Sequence, residues 1–263
     1  MSSSNDTITI VSYLVGSKAP QKLAEIGKAL DISGSTAFRV LSQLKESGWV
    51  IRDPETKRYR PGVGLLELAL SLISQLDLKT VAAPFLEKMG REVDEGVTLS
   101  TRIGLERIYI HHIQTEHELQ QVVSWGKRLP LWCGAPGKAI LAYVGHKDTE
   151  AALAGLRQSG ATSFASGAPI NEEKLRRELS EIRTNGFSVS SGERVLGTNS
   201  VAAPIFDHEG VVGAISVSGP EPRLTLKMAI GYGPLVRKTA DSISIELGRR
   251  PAESMPARGE GRL

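Results

Sequence analysis

The sequence predicts an α+β chain: an N-terminal winged helix-turn-helix, a linker helix, and a larger C-terminal α/β domain built on an antiparallel sheet. Three observations predict it. Two short amphipathic helical segments and a basic hairpin lie within residues 21–60; a helical stretch at 63–78 is apolar over more than half its circumference; and strand patterns interleave with helical ones from 97 to 217. The expected divisions are 1–62 for the first domain, 63–78 for the linker helix, 79–249 for the second domain, and 250–263 for a tail whose charged, Pro- and Gly-bearing composition suits disorder.

Residues 7–15 are read as the first helix, with Ile8, Val11, Leu14 and Val15 on one side, although β-branching lowers helix propensity. Over 21–30, Leu23, Ala24, Ile26, Gly27 and Leu30 recur at helical spacing, and Asp31-Ile32 leaves only a tight connection. Ser33 suits an N-cap. After it, Ala37, Val40, Leu41 and Leu44 fall at i, i+3, i+4, i+7, which turns Ser35, Thr36, Arg39, Ser42 and Gln43 to the opposite face. Gly48 supplies a stop. Residues 49–52 and 57–60 are strand-like around Asp53-Pro54-Glu55-Thr56, where proline at the second position suits a type I turn.

Small hydroxyls and one arginine at the start of a helix can enter a major groove, where hydroxyls reach phosphates and arginine forks onto guanine. On the hairpin, Arg52, Lys57, Arg58 and Arg60 face only Asp53 and Glu55 at its tip, and a phosphate backbone is the natural partner. A solvated helix and hairpin could carry the same residues. What favours DNA is the order in which helix pair, turn, stop and basic hairpin arrive.

The linker stripe comprises Leu65, Leu66, Leu68, Ala69, Leu72, Ile73 and Leu76. Leu65, Ala69, Leu72 and Leu76 are spaced as in a coiled-coil seam, though burial against the same chain accounts for the pattern equally well. Then come a helix at 80–94, hairpin strands at 97–103 and 107–113 around Gly104, a third strand at 119–125, and helices at 141–156 and 171–185, the latter closed by Gly186. Strands at 187–190, 201–206 and 211–217 follow, with Asp207-His208-Glu209-Gly210 as a hairpin turn, and a last helix at 224–247.

With 32 Lys+Arg against 29 Asp+Glu, global charge alone does not point to nucleic acid; local clustering does. No apolar run reaches the ~20 residues of a membrane span, and the N-terminus lacks a basic segment followed by an apolar core, so a cytoplasmic chain without membrane contact is expected. A single cysteine, Cys133, excludes an intramolecular disulfide framework and multi-cysteine metal sites. His111 and His112 are strand neighbours that point to opposite faces, which disfavours a shared metal ion, and His117 lies in a turn. Cys133 lacks a surrounding nucleophile signature and suits a small buried filler. Gly137-Lys138-Ala139 lacks the glycine spacing and hydroxyl of a phosphate loop. Neither a catalytic residue, a metal site nor a cofactor is assigned. The loop 133–137 leads into a helix, and its small residues admit close approach of a ligand or simply a tight strand-to-helix turn.

Asp53-Pro54-Glu55-Thr56-Lys57-Arg58-Tyr59, Arg128-Leu129-Pro130-Leu131, Gly137-Lys138-Ala139, Ala202-Ala203-Pro204 and Ser216-Val217-Ser218-Gly219-Pro220 stand in an order that resembles the IclR family of bacterial transcription regulators over residues 7–248. The resemblance implies a GAF-like effector domain, no enzymatic step, and a homodimer or a tetramer built as a dimer of dimers, in which the linker helix helps to form the dimer. It implies a double-stranded DNA operator contacted by Ser35, Thr36, Arg39, Ser42, Gln43, Lys57, Arg58 and Arg60. A small organic acid effector is implied at Trp132, Cys133, Gly134, Ala135, Gly137, Ser190, Glu193, Ser200, Ser216 and Ser218. The sequence departs from the family's frequent pattern in a short N-terminal part, in Gly34 where lysine is frequent, in Ser200 where cysteine is, in Trp132 where histidine is, and in Ser190-Ser191-Gly192-Glu193 where an acidic run is common. Fewer carboxylates near residue 193 and the large aromatic Trp132 suggest an aromatic or more apolar acid. The alternative is a small-molecule enzyme carrying a helix-turn-helix interaction module; a third is an architectural protein that binds DNA without sequence choice.

Overall fold

The computed structural model describes residues 3–74, 77–118 and 123–248. The chain divides into two units, Met1–Gln75 and Leu76–Leu263.

In the first unit, α1 (Ser3–Gly16), α2 (Leu23–Leu30) and α3 (Gly34–Glu46) precede a hairpin of β1 (Val50–Arg52) and β2 (Tyr59–Pro61). The first helix begins earlier than expected and buries a face rotated from the expected one: Leu14 is buried and Val11 packs partly against the core as expected, but Ile8 and Val15 do not. Ile10 and Leu14, one turn apart on the stripe that also carries Asp6, are sealed in the core, whereas Ile8 and Val15 are exposed. The alternation of β-branched residues did not distinguish these stripes. Ser33 caps α3 as expected, its hydroxyl accepting from the Thr36 N–H at 3.2 Å, and Ala37, Val40, Leu41 and Leu44 pack with Ile10, Leu14, Ile26, Val50 and Tyr59. The hairpin tip is wider than a type I turn. The Lys57 N–H closes onto the Asp53 carbonyl at 3.0 Å, while the Asp53 carboxylate accepts from the Glu55 and Thr56 N–H groups. Lys57 itself takes a left-handed φ of 57°.

Gly62 begins the next element because only a glycine fits: a Cβ there would lie 2.2 Å from the Gly48 carbonyl oxygen. Helix α4 (Val63–Ser74) follows. Of the stripe, Leu66 and Leu68 are 57% and 46% exposed and so are not buried in the chain's own core; Val63 and Leu70, outside the stripe, are exposed as well. Of the seam residues, Leu65 is half-buried and Ala69 exposed; the side chains of Leu72 and Leu76 lie outside the described residues.

The second unit opens with α5 (Asp77–Val93), three residues earlier than expected, and a six-stranded antiparallel sheet follows. Its strands are β3 (Gly96–Ile103), β4 (Glu106–Ile113), β5 (Leu129–Pro130), β6 (Ser188–Ser191), β7 (Thr198–Phe206) and β8 (Val211–Pro220), in the order β5-β4-β3-β8-β7-β6. Of the strand expected at 119–125, residues 119–122 lie outside the described part and 123–125 are not strand. The short β5 pairs with β4 instead, and its Pro130 is tolerated at a sheet edge where no donor is needed. The helix expected at 141–156 is two helices, α6 (Ala135–Leu141) and α7 (His146–Gln158), with Gly145 as N-cap of the second. All of α6 is buried, so no polar face marked its start in the sequence. Asn171 and Gly186 cap α8 (Glu172–Asn185) at its two ends, and Thr225 caps α9 (Leu226–Glu246).

Side chains divide between the two faces of this sheet. On one, Val97, Leu99, Val201, Ala203, Ile215 and Val217 pack with Leu86 and Met89 of α5 and Val236 and Ile243 of α9. On the other, Ala202 and Ala214 meet Ile140, Leu141, Leu153 and Leu179 from α6, α7 and α8. Ser190, Ser200, Ser216 and Ser218 belong to this second face, since each stands two residues from another small residue that packs there or pairs across from one.

Candidate nucleic-acid interface and ligand cavity

Helix α3 turns an outer face to solvent that carries Ser35, Phe38, Arg39 and Gln43 exposed, and Thr36 and Ser42 half-buried. Several hydroxyls there already have partners. The Ser33 oxygen ties Ser35 Oγ (3.1 Å) and Thr36 Oγ1 (2.9 Å), and Ser42 Oγ donates to the Phe38 carbonyl (2.8 Å). On the hairpin, Arg52 stacks on the Tyr59 ring at 5.6 Å and Arg60 is exposed. The Arg58 guanidinium is half-buried and donates to the Pro20 carbonyl and to the Glu25 carboxylate, so it braces the hairpin against α2 as well as adding charge. The Lys57 ammonium folds onto the Pro54 carbonyl of its own turn. The sequence reading passed over Phe38 because an exposed aromatic on a polar face has no periodic signature.

In the second unit a small cavity of about 20 Å³ lies between the loop before α6 and the strands β4, β6, β7 and β8. That is room for about one ordered water. Its wall includes Gly134, Ser190, Glu193, Ser200, Ser216 and Ser218, six of the ten residues expected at an effector site, together with Arg107, Tyr109, Arg194 and Thr198. Ser190, Ser200 and Ser218 are cross-strand partners in one row over β6, β7 and β8, which brings their hydroxyls together; Ser190 Oγ and Ser200 Oγ are 2.9 Å apart. Ser216 Oγ is bound to Thr98 Oγ1 at 2.6 Å.

The other four expected residues do not face the cavity. Trp132 packs against the cluster of α6, α7 and α8. Ala135 is buried beneath the loop; its N–H donates to Ser190 Oγ and its carbonyl accepts from Ser188 Oγ. Gly137 is small for the chain's own sake, since a Cβ there would lie 2.7 Å from the Leu131 carbonyl oxygen. Cys133 is half-buried, and its thiol is pushed up to about 11 by burial and by the nearby Glu193 carboxylate. A thiol so disfavoured as thiolate is a poor nucleophile. The loop amides are also already taken, for the Gly134 N–H donates to Glu193 Oε2 at 2.8 Å. Position 134 nevertheless favours glycine, because its φ of 79° is left-handed and strained for any side chain.

Charge is what distinguishes this cavity. Lys138, nearly fully buried, is held by Glu193 and by Glu178 at 2.8 Å; burial pulls its ammonium down, but the two carboxylates together raise it above its ordinary value. Arg107 is 0% exposed. Among the described residues it has no carboxylate partner: Nη1 donates to Ser100 Oγ at 3.2 Å, its guanidinium lies 4.9 Å over the Tyr109 ring, and Nε has no hydrogen-bond partner. Arg194 stacks on the same ring at 5.7 Å, and its buried Nη2 likewise lacks a hydrogen-bond partner. Orphaned donors on buried guanidinium groups are costly, and an anion in the cavity would satisfy them. Sequence reasoning missed both arginines. Arg107 and Tyr109 alternate with Ile108 and Ile110 on β4, and the polar face of an antiparallel strand ordinarily reads as the solvent side.

Of the histidines, His111 and His112 lie on β4 and both are held below their ordinary value by burial, while His117 Nε2 lies 3.1 Å from Asp94. No group of three or more metal-ligating side chains occurs among the described residues, and no helix there is long and apolar enough to cross a membrane.

A helix-turn-helix with a basic hairpin, joined in one chain to a separate α/β unit with a cationic cavity, defines a DNA-binding regulator. Residues 7–54 match the IclR helix-turn-helix domain and residues 70–245 the bacterial transcriptional regulator IclR C-terminal domain. The chain therefore belongs to the IclR family of bacterial transcription regulators. It is 32% identical over 242 residues to the HTH-type transcriptional repressor AllR of Escherichia coli K12, covering 92% of this chain and 88% of that one. Among solved structures it resembles the Thermotoga maritima IclR, with a TM-score of 0.71, 28% identity, and 93% of this chain and 98% of the other covered. An IclR homolog from Microbacterium hydrocarbonoxydans, complexed with 4-hydroxybenzoate, shares the fold at a TM-score of 0.77 with 22% identity over 94% of this chain and 99% of that one.

Proposed function

We propose that this regulator binds operator DNA as a homodimer, or a dimer of dimers, and that a compact organic acid in the second-unit cavity shifts its operator affinity. The observation that carries the effector reading is Arg107: a wholly buried cation with an orphaned Nε and no carboxylate partner among the described residues, set in the wall of a cavity with Arg194 and three aligned serines. An effector carboxylate would supply the missing charge, with Arg107 and Arg194 as its cationic anchors, and Ser218 and the one free proton of the hydrogen-bonded Ser190–Ser200 pair as hydroxyl donors. The reading departs from the aromatic acid expected from sequence, because Trp132, which suggested it, packs against the cluster of α6, α7 and α8 and does not line the cavity. Any acid requires residues 192–197, which carry Arg194 and Val195 between the left-handed Gly192 and Gly197, to move. Binding coupled to such a movement is the kind of differential contact by which a ligand shifts a two-state equilibrium.

On DNA, Ser35, Thr36, Arg39, Ser42 and Gln43 face the major groove, with Lys57, Arg58 and Arg60 near phosphates. The exposed Leu66 and Leu70 of α4 supply an apolar surface for the partner protomer. Fragments of genomic DNA selected at about 0.15 M salt, where phosphate-only binding is already weakened, should share an inverted repeat. Calorimetry with glyoxylate, pyruvate and 4-hydroxybenzoate then tests the cavity. Tight binding of 4-hydroxybenzoate alone would overturn the compact-acid reading, and binding of none of a broad acid panel would overturn the effector reading.

A further inference from the structure

We propose that Phe38 reads the C5-methyl group of a thymine in each operator half-site. The inference rests on the assignment of α3 as the groove-facing helix. Phe38 is 53% exposed although the unit has a closed core of its own, and it stands on the outer face of α3 one residue before Arg39, with Ser35 one turn before it and Ser42 one turn after. The neighbouring hydroxyls have limited capacity for base readout. Ser42 Oγ is donated to the Phe38 carbonyl, and Ser35 and Thr36 are tied to the capping oxygen of Ser33. The ring is thus a large apolar surface on an otherwise polar face that also carries the exposed cations Arg39 and Lys45, in a unit whose hairpin exposes Arg52 and Arg60. Those cations suit a polyanion, and in the major groove the apolar feature on offer is the thymine methyl.

The test replaces thymine by deoxyuridine, which removes the methyl and leaves every hydrogen-bonding group in place. In the operator recovered by genomic selection, each thymine is replaced in turn in both half-sites, and affinity is read by fluorescence anisotropy for the full-length protein, for Phe38→Ala and for Phe38→Leu. For the unaltered protein, one thymine position should weaken binding about fourfold per half-site when substituted, the effect of one methyl leaving an apolar contact. Phe38→Ala should bind the thymine operator more weakly and be indifferent to the substitution at that position, while Phe38→Leu keeps part of the difference. Unchanged melting of Phe38→Ala would show that its loss is not one of folding.

The proposal is overturned if no deoxyuridine substitution affects the unaltered protein, or if Phe38→Ala keeps the same methyl dependence. It is also overturned if Phe38→Ala weakens binding while the unaltered protein proves indifferent to the methyl, which would place the ring on sugar or phosphate. If no operator is recovered, the groove assignment fails and this inference with it; if an operator is bound but its methyls are irrelevant, only the inference fails.

Discussion

Replacing Arg107 by methionine should stabilise the protein while removing its response to an acid. The guanidinium is wholly buried, its Nε lacks a hydrogen-bond partner among the described residues, and its contacts include one hydroxyl of Ser100 and the face of Tyr109. Holding an uncompensated ion out of water costs several kcal/mol even after relaxation. Against this stand one hydrogen bond of about 1 kcal/mol and a cation–π contact of about 0.5–1 kcal/mol. Methionine keeps most of the side chain's length without the charge, so the net change should be a gain of about 1–3 kcal/mol. For a unit of this size that raises Tm by roughly 2–4 °C per kcal/mol. The effector's carboxylate meanwhile loses its buried partner, a loss of about 2–5 kcal/mol, or roughly thirtyfold to several thousandfold in Kd. Differential scanning fluorimetry with and without the acid found by calorimetry measures both effects in one experiment. An Arg107→Met protein that melts lower than the parent, or that keeps the acid-induced rise in Tm, would show Arg107 to be a structural strut and refute the reasoning.

Four further outcomes are expected. Arg60→Ala should weaken binding to all DNA sequences and reduce the salt slope by about one, whereas Arg58→Ala, which also breaks the contacts with Glu25 and Pro20, should in addition lower the melting temperature of the first unit slightly, as befits a part-exposed pair. Gly34→Lys should steepen the salt slope, because its Cβ has open space and the new cation lies at the start of the groove-facing helix; an unchanged slope would place α3 away from phosphate. Leu66→Ser with Leu70→Ser should shift sedimentation toward monomer, with the secondary structure seen by circular dichroism retained; an intact dimer would exclude α4 from the interface. Cys133, with its thiol near 11, should be only about a thousandth thiolate at pH 8 and resist iodoacetamide until pH approaches 10, as read by intact-protein mass spectrometry. Rapid alkylation at pH 8 would contradict its burial beside Glu193.

The amino-acid sequence by itself determined the elements whose signals are local. Ser33 capped α3, Gly48 and Gly186 ended their helices with left-handed backbone, and alternation around Gly104 and Asp207–Gly210 gave both long hairpins. The serines of the cavity were legible too, because a family pattern named them one by one. Tertiary structure decided what locality cannot encode. Whether Ile8 or Ile10 is buried depends on which stripe of α1 meets the other two helices. Where Trp132 packs depends on how the chain before α6 is laid across the sheet, and it packs against the cluster of α6, α7 and α8. Arg107 was invisible for the same reason. A polar residue on a strand reads as a solvent contact until another segment covers it, and only the packing of the loop before α6 and the segment around residue 194 over β4 turned Arg107 from a surface charge into a buried, unsatisfied one.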